Sequence, residues 1–137
     1  MARPALARSL LGRHGGSTLS WMTTWPRNTY FVREDGRSYL AYRRHAGVAV
    51  ALGDPIAPDG TAAATVTEFA AMCENSGLVP CVFSATEATV AATRELGWQH
   101  VQVAEDNVLD LDGLEFRGKA WQDVRSALNK AAKQEIE

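Results

Sequence analysis

The chain has 137 residues, 46% of them hydrophobic and 22% charged, with a formal net charge of −2. Folding at this length buries roughly 68% of the unfolded surface, enough for one core without disulfide staples. No apolar run approaches the ~20 residues that a bilayer-spanning helix needs. The charge is uneven: net +6 over Met1 to Arg44, −10 over His45 to Phe116 and +2 over Arg117 to Glu137. That split argues against polyanion binding by the whole surface and leaves room for a local basic face. Cys73 and Cys81 lack partners at metal-ligand spacing and are expected to be buried, reduced thiols. His14, His45 and His100 are scattered and form no ligand cluster or catalytic dyad.

The opening "MARPALARSLLGRHGG" is interrupted by Arg8 and lacks a small-residue cleavage site, so residues 1–18 read as a short amphipathic helix or linker rather than a secretory signal. Three antiparallel strands should follow. Tyr30 and Val32 share a face of the first, Glu34 to Gly36 supplies a turn, Tyr39 to Tyr42 continues the second, and Ala46-Gly47 turns into Val48 to Leu52. Val66, Phe69, Ala70 and Cys73 mark the buried stripe of a helix that ends at Asn75 to Gly77. "LVPCVF" is apolar on both faces, as an interior strand would be, although Pro80 opposes that placement.

Ser84 and Glu87 have capping-box spacing, which predicts a second helix carrying Ala88, Ala91 and Ala92 inward and stopping at Gly97. "HVQVAEDNVLDLD" predicts two strand-like pieces around a turn at Glu105 to Asn107. A last helix from near Lys119 should bury Trp121, Val124, Leu128 and Ala131. Because the first three strands are joined by turns, the order fits an α/β (α+β) layer architecture with a largely antiparallel sheet and excludes a doubly wound nucleotide fold.

Three stretches could carry chemistry. "RHAGVA", Arg44 to Ala49, fits the R-x-x-G-x-A pattern of acetyl-CoA-dependent acyltransferases of the GNAT superfamily, but that pattern must open a helix whose N–H groups face phosphate, and here it runs into a strand. "GDPIAPDG", Gly53 to Gly60, joins a strand to a helix, where a ligand could meet N–H groups; a rigid corner explains the same residues. Arg125, Asn129 and Lys133 recur at helical spacing with Lys130 beside them, a basic stripe that could hold phosphate or simply face solvent near a helix C-terminus.

Taken together, "SYLAYRRHAGVAVALGDPIAP", "EFAAMCENSGLVPCVFSAT" and "ATRELGWQHVQVAEDNVLDLDGLEFRGKAWQDVRSALNKAAK" resemble the C-terminal cytosolic region of the phosphatidylglycerol lysyltransferases, also called the lysyl-phosphatidylglycerol synthase or multiple-peptide-resistance family. The likeness runs from about Leu19 onward, and its ordered parts are "GDP" after the third strand, "LVPCVF", the "LGW" helix exit, and "GK" followed by "VRSALNKAAK". "LSWMTTW" looks like the actinobacterial branch.

The resemblance implies a GNAT-like domain over residues 19–137, the first half of a tandem whose second half is absent. It implies transfer of an aminoacyl group from aminoacyl-tRNA, as co-substrate, to phosphatidylglycerol at the cytoplasmic face of a bacterial membrane, without metal or coenzyme A. The partners would be a second GNAT-like half or another copy, and the membrane surface. By resemblance Arg125, Asn129 and Lys130 line a polar passage, with Lys119 next and Gly53, Asp54 and Pro55 shaping its floor. No general base is assigned; Asp54 fits a helix-capping role better. As an isolated chain it is expected to be inactive. An acetyl-CoA-dependent acyltransferase and a non-catalytic module docking lipid or a partner are the alternatives.

Overall fold

The computed structural model describes residues 3–105 and 108–134, which fall into two compact units, Met1–Val101 and Gln102–Glu137. The first unit runs α1 (Arg3–His14), a 3₁₀ turn (Ser20–Thr24), β1 (Thr29–Val32), β2 (Tyr39–His45), β3 (Val48–Leu52), α2 (Ala62–Asn75), β4 (Val79–Phe83) and α3 (Glu87–Glu95). Its sheet has the order β1-β2-β3-β4, antiparallel through β3 and parallel between β3 and β4. A parallel pair needs a crossover, and α2 supplies it. This is the mixed, largely antiparallel, helix-flanked sheet that the order of elements led us to expect.

The first three strands form because apolar and aromatic residues alternate between turns that the chain can make. His45 pairs with Val48 across a two-residue turn in which Ala46 and Gly47 both adopt positive φ, 46° and 80°. That geometry matches the twist of a hairpin, and it leaves no helix at Arg44 to Ala49. Alternation then sends side chains to two layers. On one face Tyr30, Tyr39 and Ala41 pack with Ala7, Leu10 and Leu11 of α1 and with Ile56. On the other, Leu40, Tyr42, Ala49 and Ala51 pack with Phe69 and Cys73 of α2. Phe69 sits edge-on to Phe31 and Tyr42, with ring centroids 5.9 and 5.4 Å away.

Both later helices of this unit end alike. Gly77 and Gly97 take positive φ, and the next N–H reaches back to Cys73 and Thr93 respectively, at 2.8 and 3.1 Å. The carbonyls at each helix end are thereby satisfied. Two expectations fail here. In α3 the buried residues are Thr89 and Thr93, while Ala88 and Ala91 are exposed and Ala92 is half-buried. Thr93 keeps its hydroxyl satisfied against the Thr89 carbonyl at 2.9 Å, so the buried stripe is threonine rather than alanine. The cap of α3 is Thr86, without the Ser84 and Glu87 capping box.

β4 is an edge strand, not an interior one. Val79 donates to Gly47 at 2.9 Å, so the nitrogen of the alternate residue Pro80 faces away from β3, the side on which a strand tolerates proline. Cys81 is accordingly exposed, against the expectation that both thiols are buried, whereas Cys73 is buried.

The second unit contains a 3₁₀ turn (Lys119–Trp121) and α4 (Gln122–Lys133). The two strands expected around Glu105 do not form among the described residues, and Asp106 and Asn107 of the expected turn lie outside them. Val101, Val103, Val108, Leu109 and Leu111 are exposed. Their alternation carries strand propensity, but none of these residues joins a ladder among the described residues. Nor does α4 bury its predicted stripe: Trp121, Val124 and Ala131 are half-buried and Leu128 is exposed.

Candidate functional site

The corner after β3 is held from several directions. Gly53 adopts φ +70° and donates its N–H to Phe83 at 2.8 Å, which joins the ends of β3 and β4. A Cβ built at Gly53 would meet nothing within 4 Å, so the residue is glycine for its backbone conformation and not for a close approach. Asp54 Oδ1 accepts the Thr86 N–H at 2.9 Å, the N-cap residue of α3. Pro55 is buried, and Ile56 pairs with Tyr39 in an isolated bridge. Gly53, Asp54 and Pro55 are thus brought together as a clamp between two strand ends and a helix start. Asp54 holds the N–H of the residue that caps α3 and has no second side-chain partner among the described residues.

The remaining candidates belong to the second unit. Arg125 is half-buried, and its Nη1 donates to the carbonyls of Phe116 and Gly118, each at 2.8 Å. Phe116 and Trp121 meet edge-on with centroids 5.3 Å apart. Arg125 therefore fastens α4 to the turn before it, leaving its other nitrogens for a ligand. Asn129 and Lys130 are exposed on α4, and Lys119 begins the 3₁₀ turn. Asp123 near the start of α4 and Lys130 and Lys133 near its end complement the helix dipole.

The sequence reading missed a concavity of about 330 Å³ contained in the first unit and lined by Met22, Trp25, Arg43, Val50, Leu52 and Phe83 among others. Strand register creates it. Arg43 pairs with Val50, which pairs with Cys81, and Leu52 pairs with Phe83, so these side chains share the α1 face of the sheet. Over β3 and β4 that face is open: Val79 is 63% and Phe83 51% exposed. The Arg43 Nε donates to Asn28 Oδ1 at 3.0 Å and its Nη2 to the Pro26 carbonyl at 3.3 Å. Asn28 is itself fixed, donating to Met22 and Thr23 carbonyls at 3.0 and 2.9 Å. The two-sided hydrophobicity of "LVPCVF" is the signal for it in the sequence, and the same pattern also fits an interior strand.

Among the described residues, no group of three or more His, Cys, Asp or Glu side chains could hold a metal ion, and no helix is long and apolar enough to cross a membrane. Burial raises the Tyr39 phenol above its ordinary value of 10.0, against the lowering effect of its hydrogen bond with Thr23. Burial likewise raises the Cys73 thiol, opposed by Arg44. Neither group lines the corner or the α4 stripe.

A helix-flanked, largely antiparallel mixed sheet in one unit and a helix in the other define a mixed α/β protein. Residues 8–137 match the family model of the phosphatidylglycerol lysyltransferase C-terminal region, and the chain belongs to that family. It is 36% identical over 133 residues to an uncharacterized protein of Corynebacterium glutamicum, covering 95% of this chain and 17% of that protein. It is 26% identical over 121 residues to the phosphatidylglycerol lysyltransferase of Staphylococcus aureus, covering 88% of this chain and 14% of the enzyme. Among solved structures, L-PGS from Bacillus licheniformis superposes with a TM-score of 0.82 at 21% identity, over 95% of this chain and 40% of that one. The chain thus spans less than a fifth of the length of these two relatives.

Proposed function

We propose that this chain forms part of an aminoacyltransferase that moves an aminoacyl group from aminoacyl-tRNA to a hydroxyl of phosphatidylglycerol at the cytoplasmic face of the membrane. The observation that carries this reading is the family match over residues 8–137. An aminoacyl ester is already activated, so the protein has to align ester and hydroxyl, remove the hydroxyl proton and stabilise the oxyanion. No metal or coenzyme is required for those steps. In this reading Asn129, Lys130, Lys119 and the free nitrogens of Arg125 position phosphate groups, and Gly53, Asp54 and Pro55 hold the ends of β3 and β4 that support the fold. A second GNAT-like half or another copy completes the site, so the isolated chain is inactive.

The test is a graft. The segment of the Staphylococcus aureus enzyme that this chain matches is replaced by this sequence, and lysyl-phosphatidylglycerol formation is followed with labelled lysyl-tRNA. Transfer by the graft, lost when Asn129 and Lys130 become alanine, supports the reading; a folded graft without transfer refutes it. Transfer by the 137 residues alone would refute the need for a second part. The acetyl-CoA alternative is disfavoured because Arg44 to Ala49 forms a hairpin, with the Arg44 guanidinium over the Tyr42 ring at 5.9 Å. A saturable calorimetric signal with acetyl-CoA would restore it.

A further inference from the structure

We propose that the concavity over β3 and β4 docks an anionic phospholipid surface, with Arg43 on a lipid phosphate and Val50, Leu52 and Phe83 against the glycerol region and first methylenes. This inference rests on the phosphatidylglycerol reading and places the lipid on residues of the first unit.

Three observations carry it. The first is a cation fixed without a counter-ion. Asn28 and the Pro26 carbonyl orient the Arg43 guanidinium, and among the described residues no carboxylate lies within 4.0 Å of it. A guanidinium held this way loses little freedom on meeting phosphate and presents its Nη1 donors in a fixed direction. The second is the surface next to it. The concavity of about 330 Å³ suits a headgroup and a few methylenes rather than a whole lipid, and its lining includes the exposed Phe83.

The third is the surrounding chemistry. Trp21 and Trp25 are 59% and 52% exposed, and amphipathic aromatic rings of this kind sit favourably at the headgroup level. α1 covers the neighbouring part of the same sheet face, through Tyr30, Tyr39 and Ala41, and it carries exposed Arg8 and Arg13. An apolar patch lined by Trp25 and by an arginine with no acidic partner among the described residues complements an anionic bilayer better than it does a neutral apolar partner.

The experiment uses the 137-residue chain with vesicles of phosphatidylcholine alone or mixed with phosphatidylglycerol, at physiological salt, read by co-sedimentation and tryptophan emission. The expected result is binding only to the mixed vesicles, with a blue shift that Trp25→Ala diminishes. Arg43→Ala should weaken binding about fivefold, the value of one basic residue near an anionic surface. Phe83→Ser alters an exposed side chain and should also weaken binding, while Arg94→Ala, whose guanidinium pairs with Glu87 at 3.1 Å, should not. Unchanged binding by Arg43→Ala, or equal loss with Arg94→Ala, overturns the proposal. So does a dimer in sedimentation velocity that Phe83→Ser dissociates and that binds no vesicles, since a second copy would then cover the patch. If vesicles bind through Arg43 but the graft transfers no lysine, the dock stands and the aminoacyltransfer reading fails; the converse pair of results fails the dock alone.

Discussion

Asp54 separates a structural corner from a chemical one. Its Oδ1 accepts the Thr86 N–H at 2.9 Å, across 32 positions of sequence, so it fixes the start of α3 relative to the end of β3. Replacing it with alanine removes one hydrogen bond to a charged acceptor and leaves the Thr86 N–H to water. Bonds to charged groups contribute roughly 1.5–3 kcal/mol, and loss of an N-terminal cap costs about 1 kcal/mol. The bond is solvent-exposed, which places the expected loss for Asp54→Ala near the lower figure, about 1 kcal/mol. For a domain of this size that is a fall in Tm of about 4 °C. Asp54→Asn keeps a carbonyl acceptor and should recover most of it. Thermal unfolding followed by circular dichroism reads both variants, and the graft reads their activity. If Asp54→Asn matches the unaltered chain in stability but abolishes transfer, the carboxylate acts on substrate and the clamp is not its main role. If Asp54→Ala unfolds at the same temperature as the unaltered chain, the clamp contributes nothing and the reasoning fails.

The two thiols should behave as different groups: under native conditions a water-soluble disulfide reagent should modify Cys81 rapidly and Cys73 only after denaturant is added, and modification of both at similar native rates would contradict their placement. Stability should fall at alkaline pH. Burial raises the Cys73 and Tyr39 values above 9.0 and 10.0, so the folded chain holds protons that the unfolded chain releases. Their contribution is complete below about pH 9 and is lost as pH climbs toward the raised values. The urea midpoint should therefore be level from pH 7 to 9 and decline by pH 11, less steeply in Tyr39→Phe; a level midpoint to pH 11 would refute it.

Local rules made much of the first unit legible. Ala46-Gly47 fixed a hairpin because a two-residue turn needs positive φ twice, and Gly77 and Gly97 marked helix ends for the same steric reason. What could not be read depended on which partner each face would meet. Ala88, Ala91 and Ala92 looked like an inward stripe, yet the hydroxyls of Thr89 and Thr93 are buried, and the Thr93 hydroxyl bonds the Thr89 carbonyl. Val101 to Leu111 alternates as a strand should, but alternation specifies a face and not a partner. Among the candidate residues, the corner is legible as a corner, whereas the bonds of Arg125 to Phe116 and Gly118 reach nine and seven positions away and leave no periodic trace.

Register explains why one sheet can serve both stability and recognition. Tyr42 and Ala51 face α2 and are buried, while their neighbours Arg43, Val50 and Leu52 face the α1 side, where α1 packs on Tyr30, Tyr39 and Ala41 and Met22 of the Ser20–Thr24 turn borders Val50 and Leu52. A one-residue slip between β2 and β3 would exchange these sets, burying Arg43 without a partner and exposing Tyr42. The cost of an unpaired buried guanidinium therefore locks the register. The same lock holds Arg43 on the open side, next to the apolar edge strand that Pro80 keeps from receiving a regular neighbour. An open, cation-bearing apolar face is in this sense a consequence of how the sheet avoids burying charge, and the Gly53 bond to Phe83 joins the strand ends that carry its Leu52 and Phe83.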